Sequence, residues 1–415
     1  MNKPLVRAIN LCRYCDSGSL DSFLDLGSHP FANSLLHSRE EDEALYPLHM
    51  VLCASCGMAQ LTHTADPVAL FSHYVWVTGT SSTARNQAYR FCADALERMP
   101  NGVQSYVLEV ASNDGTYLRP FIEKGVRVLG VDPAENIVQQ ANSNGVQTEV
   151  AFFGLEIARD VTKRHGHPDL VIARNVLAHV ANPVNFVQGI AHLIGSNGLA
   201  AIEFHYGRKI LEGLQYDSIY HEHLCYITAH SVVALLKRCG LDVVGFAEGP
   251  ISGGSLIVYA RREGAVCDPS KEEYLDRERT DGVNLLDTWR VFGQNVFHHR
   301  EALRSILKKE IQSGRKVVGY GASARSSTML NFCGITYEML PVIADQNPMK
   351  HGLFTAGTRI PIRPPEDVFG DKPDTVLILS WNFLEEIKHV LKNRFGFVGR
   401  IIAPLPDSPT LSILT

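Results

Sequence analysis

The chain contains two stretches in which short apolar runs alternate with helical patterns. The runs of the first stretch are Tyr106–Val110, Val126–Asp132, Asp169–Arg174 and Gly198–Phe204. Those of the second stretch are Arg315–Tyr320, Leu340–Asp345, Thr375–Ser380 and Gly399–Ile402. This alternation is typical of βαβ units, in which helices join parallel strands. It predicts an α/β protein with two separate parallel sheets.

A helical pattern covers residues 270–312, between the two stretches. Its apolar residues recur at steps of three and four, and they are Leu285, Trp289, Phe292, Val296, Leu303 and Ile306. This spacing predicts one long amphipathic helix with a single buried stripe, which Gly314 can end. The first 66 residues are instead rich in turn formers. We therefore expect three units, at residues 1–66, 67–283 and 284–415, with a helix at 284–312 joining the last two.

Composition and charge narrow the class of protein. The chain has 415 residues, of which 45% are hydrophobic and 20% charged, as in soluble globular proteins. The sequence has no run of about 18 apolar residues, so we predict no transmembrane helix. Its first residues lack the apolar run of a signal peptide, and we therefore expect a cytoplasmic protein without a membrane partner. A net charge of −5 gives no reason to expect a nucleic-acid partner. The oligomeric state stays open.

Four of the nine cysteines form two tight pairs, Cys12-x-x-Cys15 and Cys53-x-x-Cys56. Each pair can wrap one side of a tetrahedral ion, and four thiolates complete a closed site without an open position. We therefore predict a structural zinc ion, with a hairpin or small sheet between the pairs. The alternatives are a redox pair or unrelated buried thiols.

The run that ends near Val110 continues into polar and small residues, and these are Ser112, Asn113, Asp114 and Gly115. The string lacks GxGxxG, which argues against a dinucleotide fingerprint. It resembles motif I of class I methyltransferases, which implies S-adenosylmethionine as cofactor. Asn113 and Gly115 would then turn the backbone beneath its methionine part. Glu109 or Asp114 would face its ammonium group.

Further candidate cofactor contacts follow the next strands, and they are Asp132, Pro133, Phe152, Phe153 and Asn175. A carboxylate at Asp132 can accept both ribose hydroxyls. The two phenylalanines could flank the adenine. Asn175 and His179 follow a strand whose carboxyl end faces the ligand crevice of an open sheet. The alternative is a generic strand–turn–helix unit with solvated acids.

The string Tyr220-His221-Glu222-His223 combines two imidazoles, a phenol and a carboxylate. We predict that H-x-H points its histidines to opposite sides of a strand, and the string lacks the i, i+4 histidine pair of a zincin helix. A general base on carbon fits better than a metal site. The alternative is a pair of surface histidines on a loop.

Together these strings resemble the three-domain sugar C-methyltransferases, which act on nucleotide-linked 4-keto-deoxysugars. The resemblance covers essentially the whole chain and is carried by Leu24–Gly27, Pro30–Ser34, Val107–Gly115, Asn175–His179, Asp217–His223, Gly253–Ser255, Gly319–Arg325, Asn331–Gly334, Asp345, Trp381–Asn382 and Glu385–Ile387. It implies a zinc-binding module at 1–66, a class I methyltransferase Rossmann-like domain at 67–283 and a Rossmann-like nucleotide-sugar-binding domain at 284–415. It also implies a place in deoxysugar and natural product biosynthesis.

The resemblance also implies a reaction. A keto group at carbon 4 acidifies the proton on carbon 3, a base removes it, and the enolate carbon attacks the cofactor methyl. The base would be His223. Tyr220 and Glu222 would position the sugar and stabilise charge on its oxygens, and His179 would help to bind the keto sugar.

This sequence departs from the family pattern at two positions. The family has a functional tyrosine in the tract that aligns with residues 74–81, and we expect Trp76 to occupy its place, with Tyr74 as a neighbour. An indole has an N–H donor but no acidic hydroxyl. The family also often has histidine where this chain has Ser252. We therefore expect some substrate contacts to differ.

The second α/β stretch contains a candidate phosphate site. Gly321, Ala322 and Ser323 follow an apolar strand and should open a helix, where backbone N–H groups bind phosphate well. Arg325 can add charge. The resemblance makes this turn the diphosphate anchor and Asp345 a nucleotide contact. The alternative is a second Rossmann-like unit without a ligand.

Two other functions stay open. One is a methyltransferase of the same fold that acts on another enolisable small molecule. The other is a zinc-bearing binding protein whose methyltransferase core has lost activity. The intact cofactor and histidine strings favour an active enzyme.

Overall fold

The computed structural model describes residues 5–74, 76–99, 105–262, 264 and 270–415, without the side chain of Ser252. Its fold confirms the predicted α/β class with a small cysteine-bearing module in front. Within the described residues, no helix combines the length and apolar character needed to cross a membrane.

The N-terminal module is built from antiparallel strands. β2 and β3 pair between the two cysteine pairs, as predicted, and β4 continues the sheet, while β1 pairs with β5. The strands are β1 Val6–Ala8, β2 Leu20–His29, β3 Tyr46–Cys53, β4 Ala59–Leu61 and β5 His63–Ala65.

The central unit is a seven-stranded sheet flanked by helices. Its strands are β6 Tyr106–Val110, β7 Arg127–Asp132, β8 Thr148–Val150, β9 Leu170–Arg174, β10 Leu199–His205, β12 Leu241–Gly249 and β13 Ser255–Arg262, with a separate two-residue strand β11 at Cys225–Tyr226. Its helices are α1 Pro67–Phe71, α2 Ser82–Arg98, α3 Arg119–Glu123, α4 Glu135–Ser143, α5 Leu155–His165, α6 Pro183–Leu193, α7 Gly207–Glu212, α8 Ala229–Arg238 and α9 Ser270–Thr280.

The strand order is β12-β13-β10-β9-β6-β7-β8. The strands β6 to β10 are parallel, and β13 and β12 run antiparallel to their neighbours. The chain order reverses between β6 and β9, and in open α/β sheets the ligand crevice lies at the carboxyl ends of the strands at such a switch point. The loops after β6, β7 and β9 therefore meet at one crevice.

β11 links the central unit to the N-terminal module. It pairs antiparallel with β4, with Cys225 opposite Gln60 and Tyr226 opposite Ala59, and so completes the order β11-β4-β3-β2. The chain therefore joins the sheet of the N-terminal module at Cys225, two residues after His223. A sheet shared in this way fixes the module against the central unit.

The C-terminal unit has a second parallel sheet, of order β16-β15-β14-β17-β18-β19, with β19 antiparallel at its edge. The strands are β14 Val317–Tyr320, β15 Ile343–Ala344, β16 Ile362–Arg363, β17 Thr375–Ile378, β18 Gly399–Ala403 and β19 Thr410–Leu414. The helices are α10 Leu286–Gln312, α11 Ala324–Cys333, α12 Pro365–Gly370 and α13 Leu384–Phe395.

The prediction of one long helix over 270–312 is wrong. The chain breaks between α9 and α10 because Gly282 adopts the left-handed conformation, at φ +64°. The Trp289 indole N–H donates to the Val283 carbonyl across this break at 2.8 Å. Within α10 the buried stripe is as expected, but Leu285 lies before the helix and is exposed.

Candidate functional site

The two cysteine pairs meet in the N-terminal module. The Sγ atoms of Cys12 and Cys56 are 3.6 Å apart, as are those of Cys15 and Cys53, and all four lie within 4.8 Å of one another. Four sulfurs at about 2.3 Å from one zinc ion would be separated by about 3.8 Å in a tetrahedron. The Gln60 side-chain amide donates to the Cys12 sulfur at 3.1 Å. The donor set therefore fits a closed structural zinc site.

The loop after β6 turns through three left-handed residues, namely Ala111 at φ 54°, Asn113 at φ 52° and Gly115 at φ 76°. Asn and Gly tolerate this conformation best. A Cβ on Gly115 would lie 2.6 Å from the Val146 side chain, so only glycine fits there. This loop lies at the carboxyl edge of the sheet, at the switch point.

Two polar atoms under this loop are buried without a partner among the described residues. They are Oε2 of Glu109 and Oγ of Ser112. Burial raises the pKa of Glu109 to about 8, although the nearby Arg174 guanidinium opposes the shift. A buried, unpartnered carboxyl group fits a cationic ligand.

The other candidate acid of this loop is occupied. Asp114 accepts from the N–H and the hydroxyl of Thr116, at 3.3 and 2.7 Å, and from the Gly79 N–H at 3.0 Å. Sequence reasoning left Glu109 and Asp114 as equal candidates for the ammonium contact. The geometry favours Glu109 for the ammonium contact, because Asp114 already binds the segment before α2 to the loop after β6.

Asp132 stands at the end of β7 and ties two loops together. It accepts from the Ala134 N–H and the Asn113 N–H, both at 2.9 Å. Burial raises the pKa of this carboxyl, and the two backbone hydrogen bonds oppose that rise. Each oxygen of a carboxylate has a further lone pair, so Asp132 can still accept from a diol. Pro133 follows it at the crevice.

The remaining cofactor candidates differ in availability. Phe152 is 42% exposed beside the crevice. Phe153 packs edge-on against Phe186, with ring centroids 5.3 Å apart, so it belongs to the interior. Asn175 is left-handed at φ 50° and donates its N–H to the Glu203 carbonyl at 2.7 Å. Phe152 is therefore the better candidate for the adenine.

His223 has a fixed tautomer. Its Nδ1–H donates to the Ser218 carbonyl at 2.8 Å, because a carbonyl can only accept. In the neutral ring Nε2 therefore carries the lone pair, and it accepts a hydrogen bond from the Tyr220 hydroxyl at 2.9 Å. Burial holds the pKa of His223 well below its usual value, and the neighbouring His179 acts in the same direction. The imidazole is thus neutral at neutral pH.

His179 lies edge-on to His223, with ring centroids 4.7 Å apart. Burial lowers its pKa to about 4. Its Nδ1 is buried without a partner among the described residues. A buried polar atom of this kind fits a ligand that brings its own donor or acceptor.

Glu222 is buried between two different units. Its Oε1 accepts from the Asn33 amide at 2.6 Å and its Oε2 from the Tyr74 hydroxyl at 3.2 Å. Burial raises the pKa of Glu222 to about 7, and both hydrogen bonds oppose this rise. Asn33 comes from the N-terminal module, so that module reaches the histidine cluster through a side chain as well as through β4.

The structure places Tyr74, and not Trp76, beside the histidine cluster. Tyr74 lies at the cluster, where its hydroxyl contacts Glu222, and Asn136 at the start of α4 binds both backbone groups of Tyr74. Trp76 is 49% exposed, and its carbonyl accepts from the Asn113 amide at 3.1 Å. The long-range contacts of residue 74, which the sequence does not reveal, select the tyrosine.

The two histidines of H-x-H do face apart, but not on a strand as predicted. Residues 221 and 222 form a turn. His221 donates from Nε2 to the Tyr46 carbonyl at 3.2 Å, and its ring lies edge-on to Phe31 at 5.3 Å. His221 therefore packs against the N-terminal module, and its side chain faces away from His223.

The turn Gly321–Ser323 lies at the switch point of the second sheet, between β14 and β17. A Cβ on Gly321 would come 2.1 Å from the Ser380 hydroxyl, so glycine is required. Asp345 accepts from the Ala322 N–H at 2.7 Å and from the Asn347 N–H at 2.8 Å. Asp345 thus joins two loops through backbone N–H groups, as Asp132 does in the central unit. The turn opens a helix, as the sequence predicts, and Ser323 caps it.

Arg325 points toward the central unit. Its Nε and Nη2 donate to both oxygens of Asp217, at 2.9 and 2.7 Å, and its guanidinium lies over the Trp381 ring at 5.0 Å. From the sequence, Arg325 was expected to contribute positive charge to a phosphate-binding turn. Sequence reasoning assigned no role to Asp217, Trp381 or Asn33, although all three lie in the strings that carry the family resemblance. Membership of those strings was the available signal.

Three family models match the chain one after another. Residues 12–71 match a zinc binding domain, 84–245 a methyltransferase domain and 250–406 a C-methyltransferase C-terminal domain. The chain is 32% identical over 414 residues to the C-methyltransferase NovU of Streptomyces niveus, which covers 99% of each chain. A ubiquinone biosynthesis O-methyltransferase of a Ruegeria strain is 26% identical over 161 residues, covering 35% of this chain and 64% of that protein.

Solved structures resemble the chain more weakly. Magnesium protoporphyrin IX methyltransferase from Synechocystis PCC 6803 is 15% identical at a TM-score of 0.35, over 43% of this chain and 83% of that one. A methyltransferase from Mesorhizobium loti is 14% identical at a TM-score of 0.34, over 43% and 100%.

Proposed function

The chain belongs to the S-adenosylmethionine-dependent C-methyltransferases that combine a zinc module, a methyltransferase domain and a C-methyltransferase C-terminal domain, and on this basis we propose that it methylates carbon 3 of a nucleotide-linked 4-keto-deoxysugar. The observation that carries the proposal is the state of His223. Its imidazole is half-buried and neutral, and its lone pair is directed by two hydrogen bonds.

The proton of carbon 3 passes to Nε2 of His223. For this step the Tyr220 hydroxyl leaves Nε2 and donates to the sugar oxygen at carbon 4, where negative charge develops. Nδ1–H stays on the Ser218 carbonyl and so opposes rotation of the ring. An oxyanion donor of this kind is worth about 3 kcal/mol in other enzymes. Such a donor matters here because a carbon acid is weak.

Glu222 and Tyr74 complete the pocket. With a pKa of about 7, Glu222 exists in both protonation states near neutral pH. It can therefore accept from a sugar hydroxyl or donate to a sugar oxygen. Tyr74 and Asn33 hold its two oxygens in place. His179 offers its unpartnered Nδ1 to the same sugar.

S-adenosylmethionine supplies an electrophilic methyl group on a sulfonium. Glu109 would hold its ammonium group, Asp132 its ribose hydroxyls and Phe152 one face of its adenine. When bound, the cofactor would supply the methyl carbon to which the enolate carbon of the sugar bonds, and its sulfur would keep the electrons of the bond that breaks. The zinc ion would hold the N-terminal module together and takes no part in this step.

The turn Gly321–Ser323 would bind the diphosphate of the sugar. The N–H groups of Gly321, Ala322 and Ser323 already donate to the Ala344 carbonyl, Asp345 and the Ser326 hydroxyl. The proposal therefore rests on the position of the turn at a switch point, where ligands of open α/β sheets bind. The Lys350 ammonium donates to the Ala322 carbonyl at 2.6 Å and adds positive charge beside the turn.

The product identifies the reaction. The enzyme is incubated with S-adenosylmethionine labelled with ¹³C in its methyl group and with a dTDP-4-keto-6-deoxysugar. A ¹³C methyl group coupled to carbon 3 of the sugar in the NMR spectrum is the expected result. Label on oxygen or nitrogen, or on another enolisable molecule only, would refute the proposal.

A further inference from the structure

One face of α11 contacts the loop that leads to the histidine string. Arg325 binds the side chain of Asp217 through two nitrogens, at 2.9 and 2.7 Å. One turn later, the Thr328 hydroxyl donates to the carbonyl of Ile219 at 2.8 Å. Residues three apart lie on the same face of a helix. The two contacts therefore come from one rigid element of the C-terminal unit.

These contacts lie on either side of Ser218. The Ser218 carbonyl accepts from Nδ1–H of His223 at 2.8 Å, and its hydroxyl donates to the Gln215 carbonyl at 2.7 Å. The carbonyl's direction depends on the peptide plane between residues 218 and 219. Because α11 fixes residues 217 and 219, it also fixes this plane.

The carboxylate of Asp217 depends on the C-terminal unit for its charged and indole donors. Its side chain is fully buried, and besides Arg325 it accepts from the Trp381 indole N–H at 2.7 Å. Arg325 also donates to the Gln215 side-chain oxygen at 3.2 Å. A buried carboxylate is stable only when such donors satisfy it. Without the C-terminal unit, this part of the loop would lose its fixed conformation.

From this geometry we infer that Arg325 and Thr328 are positioning residues, which hold the catalytic loop so that Nε2 of His223 carries the lone pair that faces the sugar. The inference rests on the proposed function of His223. It gives Arg325 a role other than that of a phosphate ligand. It also explains why a methyltransferase domain with its own cofactor crevice needs a second α/β unit against its substrate loop.

Substitution of Arg325 distinguishes the two roles. In Arg325→Gln, a positioning role lowers the saturated rate of hydrogen exchange at carbon 3 by about 10- to 100-fold, as expected for a misplaced base. The dissociation constant of dTDP, measured by calorimetry, stays within about twofold. A phosphate-ligand role predicts the opposite, namely weaker dTDP binding with an unchanged saturated rate, and that result would overturn the inference.

Thr328→Val keeps the test valid if Arg325→Gln fails to fold. This change removes one hydrogen bond and keeps the side-chain shape, and we expect the saturated exchange rate to fall by about tenfold with unchanged dTDP binding. Ser327→Ala is the matched control, because Ser327 is also buried on α11 and its hydroxyl accepts from the Asn331 amide, on the same helix, at 3.4 Å. Equal rates in the Thr328 and Ser327 variants would contradict a positioning role for Thr328.

A second readout needs no substrate, so it separates this inference from the proposed function. In protein labelled with ¹⁵N-histidine, the His223 resonances are assigned by their loss in His223→Gln. We expect wild type to show protonated Nδ1 and unprotonated Nε2, and the Arg325 and Thr328 variants to show a mixture of tautomers. An unchanged single tautomer in both variants would refute the inference. Absence of exchange in wild type would instead refute the proposed function.

Discussion

The Tyr220 hydroxyl lies 2.9 Å from Nε2 of His223 and donates to it. Because Nδ1 is held by the Ser218 carbonyl, the phenol contacts the nitrogen that would accept the substrate proton. A phenol that donates to the base in the free enzyme can donate to the sugar oxygen once the base is engaged. In the proposed reaction, His223 would accept the proton and Tyr220 would stabilise the oxyanion, and one hydrogen bond joins the two residues in the free enzyme.

Removing this hydroxyl should slow enolisation without weakening substrate binding much. In Tyr220→Phe we expect the rate of hydrogen exchange at carbon 3 to fall by about 10²-fold, the usual effect of losing one oxyanion donor. Tyr89→Phe is the control, since Tyr89 is exposed on α2 and its hydroxyl donates to Glu123 at 3.0 Å. An exchange rate in Tyr220→Phe equal to that of the control would exclude the oxyanion role.

Glu222 makes stability depend on pH. Its pKa is about 7 when folded and 4.5 in its usual surroundings, so the folded state binds more protons between these values. The contribution of Glu222 to the free energy of unfolding is therefore greatest below pH 4.5 and falls as the pH rises to 7. Relative to Glu222→Gln, wild type should lose on the order of 3 kcal/mol of unfolding free energy over this window.

Denaturant unfolding of both proteins at several pH values measures this difference. Histidines such as His179 and His223 also titrate, but they are present in both proteins and cancel. A difference that is flat between pH 4.5 and 7, or that grows toward acid, would contradict the assigned state of Glu222.

Glu109 should couple cofactor binding to proton release. Its pKa is about 8 in the free protein, so it is mostly protonated at neutral pH. A bound ammonium group favours the ionised form, and affinity should therefore rise by up to about tenfold per pH unit between about pH 6 and 7.5. Calorimetry in two buffers of different ionisation enthalpy would detect the proton. The Glu109→Gln variant should lose both the pH dependence and the proton release, and their persistence would refute the contact.

Metal removal should affect the catalytic loop as well as the N-terminal module, because β11 follows His223 directly and pairs with β4. We expect about one equivalent of zinc in wild type, its loss in Cys15→Ser, and a lower melting temperature with reduced methyl transfer in that variant. Cys239→Ser should keep the metal, since the Cys239 sulfur contacts the Val184 carbonyl at 3.8 Å and is not part of the four-sulfur cluster. Less than about half an equivalent in intact wild type would refute the zinc site.

The sequence predicted the features that depend on local patterns. The strands β6, β7, β9 and β10, the cysteine set and the helix after Ser323 follow from hydrophobic runs and from the spacing of residues along the chain. Contacts between distant parts of the chain were not predictable in this way. Arg325 and Asp217 are 108 residues apart, and nothing local to either names the other.

The choice between Tyr74 and Trp76 shows the same limit. The two residues are near neighbours in one irregular segment, and either could be aligned with a family tyrosine. The outcome depends on Asn136 and Glu222, which lie 62 and 148 residues away from Tyr74. Aromatic character alone did not distinguish them.

The role of His223 as carbon base is tested most directly by hydrogen exchange in heavy water. The enzyme and His223→Gln are each incubated with a dTDP-4-keto-6-deoxysugar and without S-adenosylmethionine, and the carbon 3 proton is followed by NMR. The account predicts that wild type replaces this proton with deuterium and that His223→Gln does so at least about 10²-fold more slowly. Equal exchange rates in the two proteins would contradict it.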